Sequence, residues 1–122
     1  MRWAPQDWRP EGLEGTWVAI YVLVEPGAKL PFYVGQTLRP TQRYQQHVGV
    51  GGHSDALRRR IGECFERTGA APEMGILEWC PIWSSYQRER FWIAEARERG
   101  CALANHSSRR SRRARHYETI PL

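Results

Sequence analysis

The chain has 122 residues, of which 41% are hydrophobic, and a formal net charge of +5. This length allows one folded domain with a modest core, and no segment reaches the roughly 18 apolar residues that a membrane-spanning helix needs. Lys29 is the only lysine, so the positive charge is almost entirely arginine. Because the planar guanidinium suits phosphate, the charge favours a nucleic-acid partner and not a membrane. A general bias toward arginine would explain the choice of arginine over lysine, but not the positive sign.

The three cysteines are an odd number without a C-x-x-C pair, and the N-terminus has no apolar stretch typical of a secretory signal. We therefore expect free thiols in a reducing compartment, hence a cytoplasmic protein. A zinc site built from Cys80, Cys101 and His106 is an alternative, although its spacing fits no standard zinc finger.

The first sixteen residues mix proline, glycine and charge, which predicts an irregular N-terminal arm held to the body by Trp3 and Trp8. Residues 17–24 are a β-branched and aromatic run, which predicts a strand. A Pro-Gly turn then leads to a second, shorter strand at residues 31–35, so the two form an antiparallel hairpin.

Helices and a third strand follow the hairpin. Pro40 predicts the first turn of a helix that ends near Val48. A second helix begins at residue 53 or 54 and ends at Gly69. Its predicted apolar stripe consists of Leu57, Ile61 and Phe65. Residues 74–79 predict the third strand.

The third predicted helix, from about residue 84 to 99, carries an acidic residue in line with its apolar stripe. Ser84 and Gln87 have the spacing of a capping box. The stripe consists of Tyr86, Glu89, Ile93 and Ala96. A buried carboxylate costs several kcal/mol unless it is compensated. Two interpretations remain open: an ion pair with Arg43 or Arg88, or a ligand for a hard cation such as Mg²⁺.

Two tripeptides in the hairpin, Ala19-Ile20-Tyr21 and Tyr33-Val34-Gly35, carry a family resemblance. Together with residues further along, they resemble the motifs of the GIY-YIG nucleases over about residues 17–105. The further matches are Arg43, His47, Glu89 within Glu-Arg-Phe-Trp-Ile, Asn105, and His53, which is similar to a histidine of the phage homing-endonuclease branch. The chain departs from the family in having Ala19 at the name-giving glycine and no separate DNA-binding domain after the nuclease unit.

The resemblance implies an α/β (α+β) fold, with a small, mainly antiparallel three-stranded sheet flanked by helices and an active site on one sheet face. It implies a DNA endonuclease that depends on Mg²⁺ or Mn²⁺ and leaves 5′-phosphate and 3′-hydroxyl ends. Tyr21 is the expected general base with His47 relaying its proton, and Tyr33 orients the water or phosphate; the reverse assignment of the tyrosines stays open. The remaining roles are charge neutralisation by Arg43, metal binding by Glu89, and orientation of Glu89 or the backbone beside it by Asn105.

We divide the chain into an arm (1–16), a nuclease-like domain (17–106) and a basic tail (107–122). The predicted DNA contacts are His53, Arg58, Arg59, Arg109, Arg110, Arg112 and Arg113. The two arginines of the second helix equally fit a solvated face, and the tail equally fits a solubilising end.

Each site residue also has a plain alternative: the tyrosines as cross-strand packing, Arg43 and His47 as a solvated helix face, and Asn105 as a turn former. One rival function is a non-catalytic, basic nucleic-acid-binding protein. Another is a nuclease acting on RNA or branched DNA. We expect a monomer or a homodimer.

Overall fold

The computed structural model of the chain describes residues 1–49 and 55–105, and these form an α+β fold in which three helices flank an antiparallel sheet. The predicted fold class is confirmed, but the sheet has four strands where three were predicted. The strands are β1 (Ala4–Pro5), β2 (Trp17–Val24), β3 (Tyr33–Thr37) and β4 (Glu73–Pro81), and the helices are α1 (Pro40–Val48), α2 (Asp55–Thr68) and α3 (Ser85–Glu98). In the part of the chain described, no helix is long and apolar enough to span a membrane.

The strand order is β1-β4-β2-β3, so β2 is central and β3 lies at an edge. Every residue of β2 after Trp17 is buried, because both faces of this strand are covered. Side chains alternate between the two faces of a strand. Ile20 and Val22 therefore pack toward α3, while Tyr21 and Leu23 pack toward α2. We call these two sides of the sheet the α3 face and the α2 face.

The additional strand comes from the N-terminal arm, which was predicted to be irregular. Ala4 and Pro5 pair with Ile76 and Gly75 of β4. Trp3 packs on Gly75, where a side chain would clash with the indole. The Trp3 side chain thus attaches the arm to the body as predicted, whereas Trp8 has an exposed side chain and contributes through its backbone carbonyl, which accepts a hydrogen bond of 2.9 Å from the Trp79 indole.

The second strand begins and ends two residues later than predicted. β3 pairs with β2 from Tyr33 opposite Leu23 to Thr37 opposite Ala19. Pro31 has no amide hydrogen to give to the ladder. At the other end, β2 still offers partners beyond Gly35, so the pairing continues to Thr37.

Two predictions about helical side chains were wrong. Phe65 is exposed and Cys64 is buried in its place. At about 100° per residue, Cys64 lies about 20° from Leu57 around α2, whereas Phe65 lies about 80° away. Ser84 does precede α3, but its hydroxyl donates to the Pro81 carbonyl and caps no helical amide, so there is no capping box.

Candidate active site

A tyrosine and a histidine form a buried polar pair on the α2 face. The Tyr21 hydroxyl of β2 and Nε2 of His47, on α1, lie 2.7 Å apart, which is hydrogen-bond distance. The two residues are only 2% and 4% exposed, among apolar neighbours such as Leu23 and Leu57. Buried polar groups are nearly always hydrogen-bonded, and here the phenol hydroxyl and Nε2 of the imidazole are each other's partners.

The second hairpin tyrosine completes this group. The ring centroid of Tyr33 lies 5.7 Å from that of His47 and 6.1 Å from that of Tyr21. Tyr33 is half-buried, so it is more accessible than Tyr21. Three residues that are far apart in the sequence thus form one cluster of rings, with Tyr33 toward the outside.

The glycine of Tyr33-Val34-Gly35 makes room for this cluster. Gly35 is the register partner of Tyr21, and the phenol lies over it. A Cβ at Gly35 would lie 2.6 Å from the Tyr21 hydroxyl, well inside van der Waals contact. Glycine is therefore required here by the close approach of a side chain. Ala19, by contrast, is accommodated in the core beside Tyr21.

We expect Gly35→Ala to displace the Tyr21 phenol and break its hydrogen bond to His47. Such overpacking typically costs about 1–3 kcal/mol of unfolding free energy. Thermal unfolding measures this loss. Gly62→Ala on α2 is the matched control, because a Cβ there meets no atom within 4 Å. Equal stability in both variants would contradict this account of Gly35.

The acidic residue of α3 is buried, as its position in the stripe predicts. Glu89 is 4% exposed, and its Oε2 accepts a hydrogen bond of 2.6 Å from Nε2 of Gln36 on β3. Arg88, one of its predicted ion-pair partners, instead binds Glu78 of β4 at 2.5 Å. The donor of this hydrogen bond is a neutral amide, whereas the predicted partner was a charged arginine. Gln36 belongs to none of the sequence motifs, so nothing in the sequence marks it as part of the site.

The prediction that the whole site lies on one sheet face was wrong. Tyr21 belongs to the α2 face, whereas Gln36 and Glu89 lie on the α3 face, because alternate residues of a strand point to opposite sides. The two groups nevertheless meet at consecutive residues of the edge strand. The Tyr21 hydroxyl lies beside Gly35, and Glu89 accepts a hydrogen bond from the next residue of the strand, Gln36. The candidate site therefore spans the edge of the sheet.

Asn105 was predicted to orient Glu89 or the backbone beside it, and its observed hydrogen bonds go to the backbone of the edge strand β3. Its amide nitrogen donates to the Val34 carbonyl at 2.7 Å, and its oxygen accepts from the Val34 amide at 3.1 Å. The Ala104 amide also donates to the Phe32 carbonyl at 2.7 Å. The segment after α3 thus supplies partners for the outer edge of β3 and fixes the strand that carries Tyr33 and Gly35.

Some of the residues predicted to contact phosphate or DNA are described by the structure, and the others lie outside the described residues. Arg43 is exposed on α1, one turn before His47, and Arg58 and Arg59 are exposed on α2. Arg58 lies 3.8 Å from Asp55, an exposed pair that contributes little to stability. The remaining predicted DNA contacts lie outside the described residues: His53, Arg109, Arg110, Arg112 and Arg113.

Arg60, the neighbour of these two arginines, has a structural role. Its guanidinium binds Glu25 at 3.0 Å and lies 4.4 Å from the centroid of the Phe32 ring. Arg67 binds the same carboxylate at 3.0 Å. The hydrogen bond from Arg60 is the main reason why the pKa of Glu25 is lowered. These contacts tie the hairpin turn to α2.

The described cysteines are free and buried, and Cys80 and Cys101 both belong to the core of the α3 face. Burial raises the pKa of both thiols, which keeps them protonated. Residues 1–49 and 55–105 contain no group of three His, Cys, Asp or Glu side chains suited to a metal. His106, the third member of the alternative zinc site, lies outside the described residues.

No family model, curated protein or solved structure matches the chain. A functional assignment therefore depends on the geometry of the site and on the motifs in the sequence.

Proposed function

We propose that the chain is a divalent-metal-dependent endonuclease of GIY-YIG type that hydrolyses DNA phosphodiester bonds. The observation that carries the proposal is the buried Tyr21–His47 hydrogen bond beside Tyr33, at the strand edge to which Glu89 is also attached. These residues match the family motifs in order. Both groups are attached to consecutive residues of β3, Gly35 and Gln36, and this shared attachment supports a single site.

The plain alternative, ordinary cross-strand packing, does not explain why polar groups are buried here. A phenylalanine at position 21 would fill the same space without a hydroxyl that needs a partner. His47 likewise places an imidazole inside an apolar cluster. A buried phenol–imidazole pair is well suited to proton transfer, which is the reason we assign it a chemical role.

In the proposed mechanism, Tyr21 draws a proton from the attacking water as its own proton passes to His47. Tyr21 takes this role because its hydroxyl is the one within hydrogen-bond distance of the imidazole. Tyr33, the more exposed tyrosine, orients the water or the scissile phosphate. Gly35 and Asn105 hold the geometry, by making space for the phenol and by fixing β3.

Glu89 fits a single Mg²⁺ or Mn²⁺, because hard cations commonly bind one or two carboxylates and complete their shell with water and phosphate. The amide of Gln36 donates to the Glu89 carboxylate and orients it. When bound, the ion would supply Lewis-acid stabilisation of the leaving 3′-oxygen. The exposed guanidinium of Arg43 would neutralise charge on the phosphoryl oxygens.

A plasmid-nicking assay tests the proposal directly. Purified protein with supercoiled plasmid should yield nicked circles with Mg²⁺ or Mn²⁺ and none with EDTA. Retained DNA binding without nicking under either metal would favour the non-catalytic DNA-binding protein. One site cuts one strand at a time, so linear product would require a dimer or successive nicks.

The same assay separates the alternative substrates, when duplex DNA, branched DNA, single strands and RNA are compared at equal concentration. We propose duplex DNA as the substrate. Faster cleavage of RNA or of a branched junction would move the assignment to that substrate and leave the chemistry unchanged. The free, buried cysteines support a further part of the proposal, action in the cytoplasm.

We expect Arg43→Ala to slow the chemical step by about 10²-fold or more, since a preorganised charge at the developing oxyanion is lost. Arg43 is exposed, so the free energy of unfolding should hardly change. Single-turnover nicking at saturating protein measures the effect. Arg97→Ala is the control, because Arg97 is another exposed helical arginine and is not among the predicted DNA contacts. Equal single-turnover rates in the two variants would remove Arg43 from the mechanism.

A further inference from the structure

Beside Glu89, helix α3 carries Arg90, an arginine to which the motif analysis assigned no role. Nη1 of Arg90 donates a hydrogen bond of 2.7 Å to the Tyr86 hydroxyl, and the guanidinium carbon lies 5.6 Å from the centroid of the same ring. Arg90 is exposed and Tyr86 is half-buried. The Tyr86 phenol therefore fixes the position of the Arg90 guanidinium, which lies on the surface one helical turn further along α3.

The direction of this side chain follows from a row of three residues across the sheet. Ile20 of β2 has Glu78 of β4 and Gln36 of β3 as its two register partners. Arg88 binds the Glu78 end of the row, and Glu89 binds the Gln36 end. The side of α3 that carries Arg88 therefore faces β4, and the buried side that carries Glu89 faces β3.

Rotation around the axis of α3 from Arg88 to Glu89 passes from β4 to β3, and further rotation in the same direction passes the edge of the sheet. Successive residues advance by about 100°, so Arg90 follows Glu89 as Glu89 follows Arg88. Tyr86 lies between Glu89 and Arg90 around the axis, at about 60°. The flank that carries Tyr86 and Arg90 is thus on the side of β3 away from β4, where the candidate site spans the strand edge.

The partner of Arg90 is neutral, and this sets it apart from its neighbours. Arg88 on α3 and Arg99, the residue that caps the C-terminus of this helix, each bind a carboxylate, at Glu78 and Glu95. Among the residues that the structure describes, Arg90 forms no ion pair. The full positive charge of Arg90 is therefore available to an anion. The hydrogen bond to the Tyr86 phenol orients the guanidinium without reducing that charge. Planar guanidinium groups bind phosphate in a bidentate manner.

We infer that Arg90, positioned by Tyr86, binds a phosphate of the DNA backbone next to the scissile bond. The inference rests on the proposed function, because it takes as ligand the DNA strand that would be cleaved at the edge of β3. Glu89 and Arg90 then act on neighbouring phosphates of one strand. Arg90 contributes binding, and it is not part of the chemical step.

The test measures binding separately from cleavage. Affinity for a fluorescent duplex is measured by anisotropy in EDTA, at several salt concentrations. Arg90→Gln should weaken binding by several-fold at low salt and lower the slope of log affinity against log salt by about 0.9, the value of one phosphate contact. Tyr86→Phe, which removes the orienting hydroxyl and keeps the ring, should give a smaller loss of affinity.

Arg99→Gln is the matched control, since it removes the same charge from the C-terminal end of the same helix, at a residue already paired with Glu95. Equal affinity and equal salt slope in the Arg90 and Arg99 variants would overturn the inference, and so would an absence of DNA binding by the wild type. If the wild type nicks DNA but the Arg90 variant binds normally, only this inference fails. If Arg90 controls affinity but no metal supports nicking, the inference stands and the nuclease proposal fails.

Discussion

Glu89→Gln should abolish metal-dependent nicking while the protein stays folded. The substitution keeps the shape of the side chain and an oxygen for the hydrogen bond from Gln36, but it removes the charge that a divalent ion needs. Losing several kcal/mol of charge stabilisation corresponds to a rate loss of at least about 10³-fold. A neutral side chain is also less costly to bury, so the free energy of unfolding should not fall.

Glu78→Gln provides the control, because Glu78 is the other described carboxylate between α3 and the sheet. It accepts hydrogen bonds from Arg88 and from the Trp92 indole, so its role is structural. This variant should lose some stability and nick DNA at close to the wild-type rate. Wild-type nicking by the Glu89 variant, or equal losses in both, would contradict the assignment of the metal to Glu89. Titration with Mn²⁺ adds a second measurement, since only the Glu89 variant should lose metal affinity.

The sequence predicted the elements well where a periodic apolar pattern meets a clear end signal. β2 matches its predicted bounds because a continuous β-branched run precedes a turn. α1 begins at Pro40 and α3 is followed by Gly100 at positive φ, as their end signals indicate. Burial of Glu89 was predicted because three neighbours at helical spacing are apolar or aromatic, and a carboxylate among them stands out.

Contacts between distant segments could not be predicted in the same way. The bonds from Gln36 to Glu89 and from Asn105 to Val34 join residues 53 and 71 positions apart. No local pattern encodes such a pairing, because it depends on which face of β3 receives α3. The same reason explains the wrong prediction of a single-faced site: strand alternation places Tyr21 and Gln36 on opposite faces once their register is fixed.

The β1 strand illustrates a third case. Ala4 and Pro5 carry no strand signal, and proline is disfavoured within sheets. They pair because Trp3 packs on the glycine of β4, which draws the arm alongside that strand. Tertiary packing here overrides local preference, and it does so at an outer strand, where proline is tolerated.

Tyr21→Phe should reduce the nicking rate by about 10²- to 10⁴-fold, the usual range for loss of a general base. The ring still fills its place over Gly35, so the fold is retained. Nε2 of His47 loses the hydroxyl as its hydrogen-bond partner. Loss of the partner of a buried polar atom costs about 1–3 kcal/mol of unfolding free energy. Rates should therefore be measured well below the melting temperature, so that the loss reports chemistry and not unfolding.

Tyr44→Phe separates the two effects. Tyr44 packs on the same face of the sheet, its hydroxyl donates to the Pro72 carbonyl at 2.8 Å, and its burial raises the pKa of the phenol. Removing that hydroxyl should cost comparable stability and leave nicking unchanged. Tyr33→Phe completes the set and should slow nicking less than Tyr21→Phe, since orienting a water is worth less than accepting its proton. The opposite order of the two hairpin variants would exchange their roles, and full activity in both would remove tyrosine from the chemistry.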